Sequence, residues 1–319
     1  MRGRELLMLD RRAQYRYGDA LDAVAPLLQN ARAKTPQLDD IRNRAQLLRV
    51  IADVPPQRVS PGERAPVAID AGGRVPIAIN GRVLGMQLDT GANFSAMPRR
   101  TALMLGLPIR RTGYIIGSSM GGRVTADVAV ADLSFPDGTR VQNAIFLVLP
   151  DSALPVQGLI GFPVLAALGS VSYSGRDVTF GESGQGSSQE PLALSGNDLL
   201  LRVSYDGKNL LCRLDTGADR TIFYEPFYRR YGQQIAAARG PSVRIGSATG
   251  SHRLGTLPVS SFRIAIAGKS FVLGNAAMLT KPVSNAPNRG LFCNIGRDVL
   301  RNARDYRIDF AKMTLSFGP

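Results

Sequence analysis

Apolar positions between residues 4 and 53 recur at helical spacing: Leu6, Leu9, Ala13 and Tyr17, then Leu21, Val24, Leu28 and Ala31, then Leu38, Ile41, Ala45 and Leu48. The pattern predicts three amphipathic helices in succession. Gly18-Asp19 reads as the break between the first two, and Thr35-Pro36 as the cap and first-turn pair of the third. Pro55-Pro56 and Pro61-Gly62 then mark a linker, so residues 1–60 form a small all-α segment. From about residue 66 the chain changes to short β-branched and apolar runs separated by Gly, Asn and Asp, the texture of an all-β region. A low-complexity stretch at 181–189 divides that region, which gives units at 61–183 and 193–319 with a linker at 184–192.

The two units repeat one another. A strand-like run Val75–Ile79 meets the turn pair Asn80-Gly81, and the next run, Arg82–Leu88, delivers Asp89-Thr90-Gly91-Ala92. In the second unit Leu201–Tyr205 meets Asp206-Gly207, and Lys208–Leu214 delivers Asp215-Thr216-Gly217-Ala218. Asn-Gly and Asp-Gly are strong hairpin signals because both turn residues must take positive φ. Leu84, Met86 and Leu88 correspond to Leu210, Cys212 and Leu214 on one face of the strand. Ser95 and Thr221 stand at one shared position after the aspartates. A helical patch, a glycine-rich hairpin, a hydrophobic approach to glycine (Leu159-Ile160-Gly161; Asn294-Ile295-Gly296), a short helix and a closing strand follow in both. One Asp-Thr-Gly-Ala arises by chance in a chain of this length with a probability of about half a percent. Two copies at matched positions are not chance.

Composition narrows the chemistry. In 319 residues there are one histidine (His252), two cysteines (Cys212, Cys293) and no tryptophan. A Ser-His-Asp site would depend on His252 alone, and a structural zinc site would need both cysteines without any Cys-x-x-Cys pair. No metal or other cofactor is expected. At 44% hydrophobic residues the chain can bury a sizeable core, yet no run approaches the length of a membrane span. The formal charge of +14 divides as +4 for 1–60, +1 for 61–183 and +9 for 184–319. No cationic run or nucleic-acid motif accompanies it, so a solvated basic surface is expected and no nucleic-acid partner. The N-terminus lacks a secretory signal pattern, which points to the cytoplasm, or to a periplasmic or exported protein if this is a trimmed mature form.

The duplicated tetrapeptide resembles the aspartic proteases, and in particular their retropepsin-like branch, over roughly residues 66–319. The closest stretches are Leu214-Asp215-Thr216-Gly217-Ala218-Asp219 and Asn294-Ile295-Gly296-Arg297-Asp298-Val299-Leu300. The resemblance implies a mainly β fold of two retropepsin-like β-barrel lobes, joined as a pseudo-dimer in a bacterial-type single chain active as a monomer. It implies an endopeptidase acting on a protein or peptide substrate, with Asp89 and Asp215 as catalytic dyad. Supporting roles fall to Thr90, Gly91, Ala92, Thr216, Gly217, Ala218, Ser95 and Thr221, and to an Asp219–Arg297 ion pair. Asn93 and Phe162 replace that pair in the first lobe. The glycine-rich hairpins resemble flaps, with Tyr114, Ser118, Ser119, Met120 and Gly121 in the first and Gly246, Ser247, Thr249 and Ser251 in the second as substrate contacts. His252, in the second hairpin, is read as solvent-facing.

Such chemistry suits these residues. Two adjacent carboxylates share one proton over a wide pH range, so one serves as base and the other as acid without histidine or metal. Cys212 and Cys293 lie on strands that are neighbours in that fold, and either a disulfide or two free core thiols fits. A catalytically silent peptide-binding or adaptor protein on the same fold is the alternative. Tyr17–Ala23 partly resembles a tetratricopeptide helix junction, so the helical segment could dock a protein partner, inhibit or merely stabilise.

Overall fold

The computed structural model describes all residues except 1, 30–34, 118–121, 182–187, 197, 233–242, 248–249, 255, 260–261, 275, 283–289 and 319, and for 243–247, 250–254 and 256–259 the backbone alone. Three helices open the chain: α1 (Arg2–Ala13), α2 (Tyr17–Gln29) and α3 (Pro36–Ile51). Thr35 caps α3 as expected, its Oγ1 accepting from the Leu38 N–H at 3.3 Å, with Pro36 in the first turn. The break between α1 and α2 lies elsewhere. Tyr15 takes a left-handed φ of 58°, whereas Gly18 sits inside α2 with Tyr17 at its first position. The face of α1 is also different from the expected one: Met8 is buried in the apolar cluster, with Leu9 packed against it, while Leu6 is exposed.

The rest is mainly β. Both hairpins form where expected, with Asn80 and Gly81, and Asp206 and Gly207, all at positive φ. Strands Arg74–Ile79 and Arg82–Leu88 pair in register, as do Asp198–Tyr205 and Lys208–Leu214. Leu84, Met86, Leu88, Leu210, Cys212 and Leu214 are all buried, so the alternation read from the sequence is the core face. Each repeat builds a large curled sheet, eight-stranded in the first and nine-stranded in the second. In the first, strand Arg123–Ser134 pairs on both sides and also closes onto Arg140–Leu149, which bends the sheet into a barrel.

A six-stranded sheet weaves the two lobes together. Strands Ser170–Ser174 and Asp177–Phe180 of the first lobe lie beside Asp305–Asp309 and Thr314–Phe317 of the second. Tyr173 and Tyr306 stack across this junction, ring centroids 4.5 Å apart. Ser188–Pro191, expected inside the linker, is the outermost strand of this sheet, because its backbone finds partners along Thr314–Phe317. Likewise Arg58–Ser60, expected to belong to the linker that ends the helical segment, adds a strand to the first sheet against Arg140–Gln142.

The helices cover the outer face of the first lobe. Met8, Val24, Ile41, Leu48 and Ile51 share one apolar cluster with Phe94, Ala126, Val128, Ile145 and Leu147. Strand Arg110–Gly117 is an edge of the sheet, and α3 masks it: the Asn43 side-chain amide donates to the Ile115 carbonyl and accepts from the Ile115 N–H, both at 2.7 Å. No helix among the described residues is long and apolar enough to cross a membrane.

Candidate active site

Each tetrapeptide emerges from the end of a buried strand, and the two meet at the lobe interface. The Asp89 N–H donates to the Ile160 carbonyl and the Asp215 N–H to the Ile295 carbonyl, both at 2.9 Å, so each loop hangs from the hydrophobic-Gly element of its own lobe. Ser95 Oγ accepts from the Gly161 N–H at 3.0 Å and Thr221 Oγ1 from the Gly296 N–H at 3.1 Å, which ties that element to the strand after the loop. The two side chains at the shared position thus do one job.

Thr90 and Thr216 lock the lobes reciprocally. The Thr90 N–H donates to Thr216 Oγ1 (3.0 Å) and the Thr216 N–H to Thr90 Oγ1 (3.1 Å). Their hydroxyls donate onward to the Leu214 and Leu88 carbonyls, at 3.0 and 2.9 Å. All of this is buried, where an unmade hydrogen bond is costly. Gly91 and Gly217 are required by close approach: a Cβ on Gly91 would lie 2.6 Å from the Asp215 Cγ, and one on Gly217 2.2 Å from the Asp89 Cγ.

The two carboxylates are neighbours with unequal surroundings. Asp89 Oδ1 accepts one hydrogen bond, from the Gly91 N–H at 2.8 Å. Asp215 accepts three, from the Gly217 N–H (3.0 Å) and the Ala218 N–H (3.1 Å) on Oδ1 and from the Asn294 amide (2.9 Å) on Oδ2. Donors aimed at a carboxylate favour its ionised form. Burial, and then the charge of Asp215, push the Asp89 carboxyl up to about 7. Burial and the neighbouring carboxylate thus favour the protonated form of Asp89.

Two residues beside the aspartates were not singled out from the sequence. Gln87 and Arg213 stand at matched positions, two before each aspartate, and both reach across the interface: Gln87 Nε2 donates to the Gly217 carbonyl at 2.7 Å, and Arg213 Nη2 to the Gly91 carbonyl at 2.6 Å. Asn294 was read only as part of the approach to Gly296, yet it bonds Asp215 directly, while Leu159 stands at its matched place. The usable signal was the repeat itself, which aligns a neutral with a charged residue next to the same aspartate.

Other expected residues divide. The Asp219–Arg297 ion pair is present, and Arg297 Nη1 also donates to the Gly72 carbonyl of the first lobe at 2.8 Å. Ala92 and Ala218 pass their carbonyls to the Phe162 and Arg297 N–H groups, both at 2.8 Å. Cys212 and Cys293 are joined by a disulfide between paired strands. Tyr114 lies on strand Arg110–Gly117, which leads into the first hairpin. Its ring packs with the helical cluster beside Arg12 and Arg44, and burial raises its phenol. Alternation along strand Arg110–Gly117, whose edge α3 covers, accounts for that. Ser118, Ser119, Met120, Gly121 and Thr249 lie outside the described residues. Gly246, Ser247 and Ser251 lie on the two-stranded hairpin Val243–Ser247 and Gly250–Leu254, which also carries His252. No group of residues suited to a metal ion occurs among the described residues.

No curated protein matched this sequence. Residues 75–164, which contain Asp89 and the whole approach to Gly161, match the family model described as aspartyl protease, consistent with a retropepsin-like aspartic protease.

Proposed function

We propose that the protein is an aspartic endopeptidase that hydrolyses an extended polypeptide held between its two lobes, with Asp215 as base and Asp89 as acid. The observation that carries this reading is the pair of unequally solvated carboxylates locked together by the threonine grip. The family match to the first lobe supports the general class of activity.

In the proposed reaction Asp215 takes a proton from a water molecule as its oxygen attacks the peptide carbonyl carbon. Asp89 gives its proton to the carbonyl oxygen, which yields a tetrahedral diol. The proton on Asp215 then passes to the departing nitrogen as the C–N bond breaks, and a diol hydroxyl returns a proton to Asp89. One water is consumed, and an amine and an acid leave. An extended substrate would pair by main-chain hydrogen bonds beneath the two hairpins, with side chains in alternate pockets.

The test is cleavage of an unstructured peptide library by the full chain between pH 3 and 8. Asp89→Asn and Asp215→Asn are each expected to lower the rate by at least about a thousandfold, with circular dichroism unchanged. Survival of activity in either variant would sink a single shared site, and saturable binding without any cleavage would favour the silent peptide-binding alternative.

A further inference from the structure

Arg213 is an unusual neighbour for an aspartate pair. It is only 7% exposed, and strand alternation puts it on the same face as Asp215, opposite to Cys212 and Leu214. Two groups hold it. Its Nη2 donates to the Gly91 carbonyl of the opposite lobe, and its Nε lies 3.2 Å from Asp198 Oδ1 as an ion pair. That Nε–H is not aimed well enough to count as a hydrogen bond, so the Asp198 contact is mainly one of charge. Asp215 follows two residues along the chain.

A cation so buried is costly unless anions surround it. Burial alone would lower its affinity for the proton, but Asp215, then Asp198, with smaller contributions from Tyr224 and Asp89, reverse the direction and raise it. Asp198 is raised, by burial first and by the charge of Asp215, and lowered by Arg213. Tyr224 and Tyr173 are each raised, by burial first. Both phenols stay neutral across the working range.

The matched place in the first lobe offers a built-in comparison. Gln87 makes the same reach to the opposite glycine carbonyl without a charge. The reach is thus a structural clamp shared by both lobes, and the charge is an addition to one.

We propose that Arg213, ion-paired with Asp198 and bonded to the Gly91 carbonyl beside the aspartates, is a positioning residue whose buried charge sets the pH range over which the aspartate pair holds one shared proton. This rests on the endopeptidase reading for its consequence in turnover, but the effect on the titration of the carboxyl pair does not. Arg213 touches no reacting atom. It acts through Asp215, so its effect is a shift in pH dependence.

The experiment compares wild type, Arg213→Gln, Arg213→Lys and Asp198→Asn, by kcat/KM against pH on a cleaved peptide and by 13C NMR titration of the aspartate carboxyls. Arg213→Gln copies the solution of the first lobe, keeping the clamp and deleting the charge. Both limbs of its profile should move to higher pH by about one unit, because a carboxylate without its cation ionises less readily. Asp198→Asn should move them to lower pH, since it frees Arg213 to act on the pair. Arg213→Lys should restore the wild-type profile to within a fraction of that shift. A profile for Arg213→Gln that superposes on wild type, or shifts of the same sign for Arg213→Gln and Asp198→Asn, would overturn the proposal. If Arg213→Gln does not fold, Asp198→Asn and Arg213→Lys decide: a downward shift in the first beside a wild-type profile in the second supports the proposal, and an unshifted or upward-shifted Asp198→Asn overturns it. Should wild type cleave nothing, the endopeptidase reading fails alone, and the carboxyl titration still decides the role of Arg213.

Discussion

Asp89 binds its proton more tightly in the folded chain than an exposed aspartate does, because burial and a neighbouring carboxylate both oppose its ionisation. Its raised carboxyl therefore adds stability that is fully present below the unfolded value near 4 and is lost as pH rises through about 7. Asp89→Asn removes that loss. The variant should melt above wild type at pH 8 and draw level with it toward pH 4, and equal melting temperatures at both pH values would contradict the assignment of the proton. The activity of wild type should fall above about pH 7 for the same reason, as the shared proton leaves. At the grip, Thr216→Ala deletes the hydroxyl that bonds the Thr90 N–H and the Leu88 carbonyl, and strands both in the interior. It should cost roughly 2 to 4 kcal/mol in denaturant unfolding, with Thr216→Ser recovering most of it.

Elements whose instructions are local were the legible ones. The two hairpins follow from Asn80-Gly81 and Asp206-Gly207, whose positive φ few other pairs tolerate, and α3 from Thr35-Pro36. The α1–α2 break was not legible, since packing of Tyr17, Ala20 and Val24 into one face overrides the glycine at 18 and shifts the bend to Tyr15. Arg213 was missed for a related reason. Alternation assigns it to the non-core face, and only the opposite lobe, which no local pattern encodes, buries that face. The packing of Tyr114 was not legible either, because the helices that cover its strand are remote from it in sequence. Strand pairing also makes the disulfide testable: it closes a separation of 81 residues, for which chain entropy alone gives about 4 kcal/mol. Reductant should lower the melting temperature by several degrees. It should also slow cleavage, because Cys293 precedes the asparagine that holds Asp215. An unchanged melt would mean that the thiols are free in solution.

For the molecule as a whole, the helical segment is a structural cover. Its apolar residues face Ala126, Val128, Ile145 and Leu147, so a chain lacking residues 1–53 exposes that surface and should be destabilised or aggregate. A truncated form that is soluble and more active would instead identify the segment as an inhibitor. The surplus charge also gains a place. Arg176, Arg297, Arg301 and Arg304 line one hollow beside the stacked tyrosines of the six-stranded sheet, three of them from the basic second half. That sheet interleaves strands of both halves, so specific activity should stay constant on hundredfold dilution, where a site shared between separate chains would fall apart. Covalent continuity has one more effect. In a pair of identical chains every substitution arrives twice, and a bound peptide meets the same atoms whichever way it runs. Here Gln87 stands at the place of Arg213 and Leu159 at that of Asn294, so under the proposed function reading a peptide from its amino end is a different event from reading it from its carboxyl end.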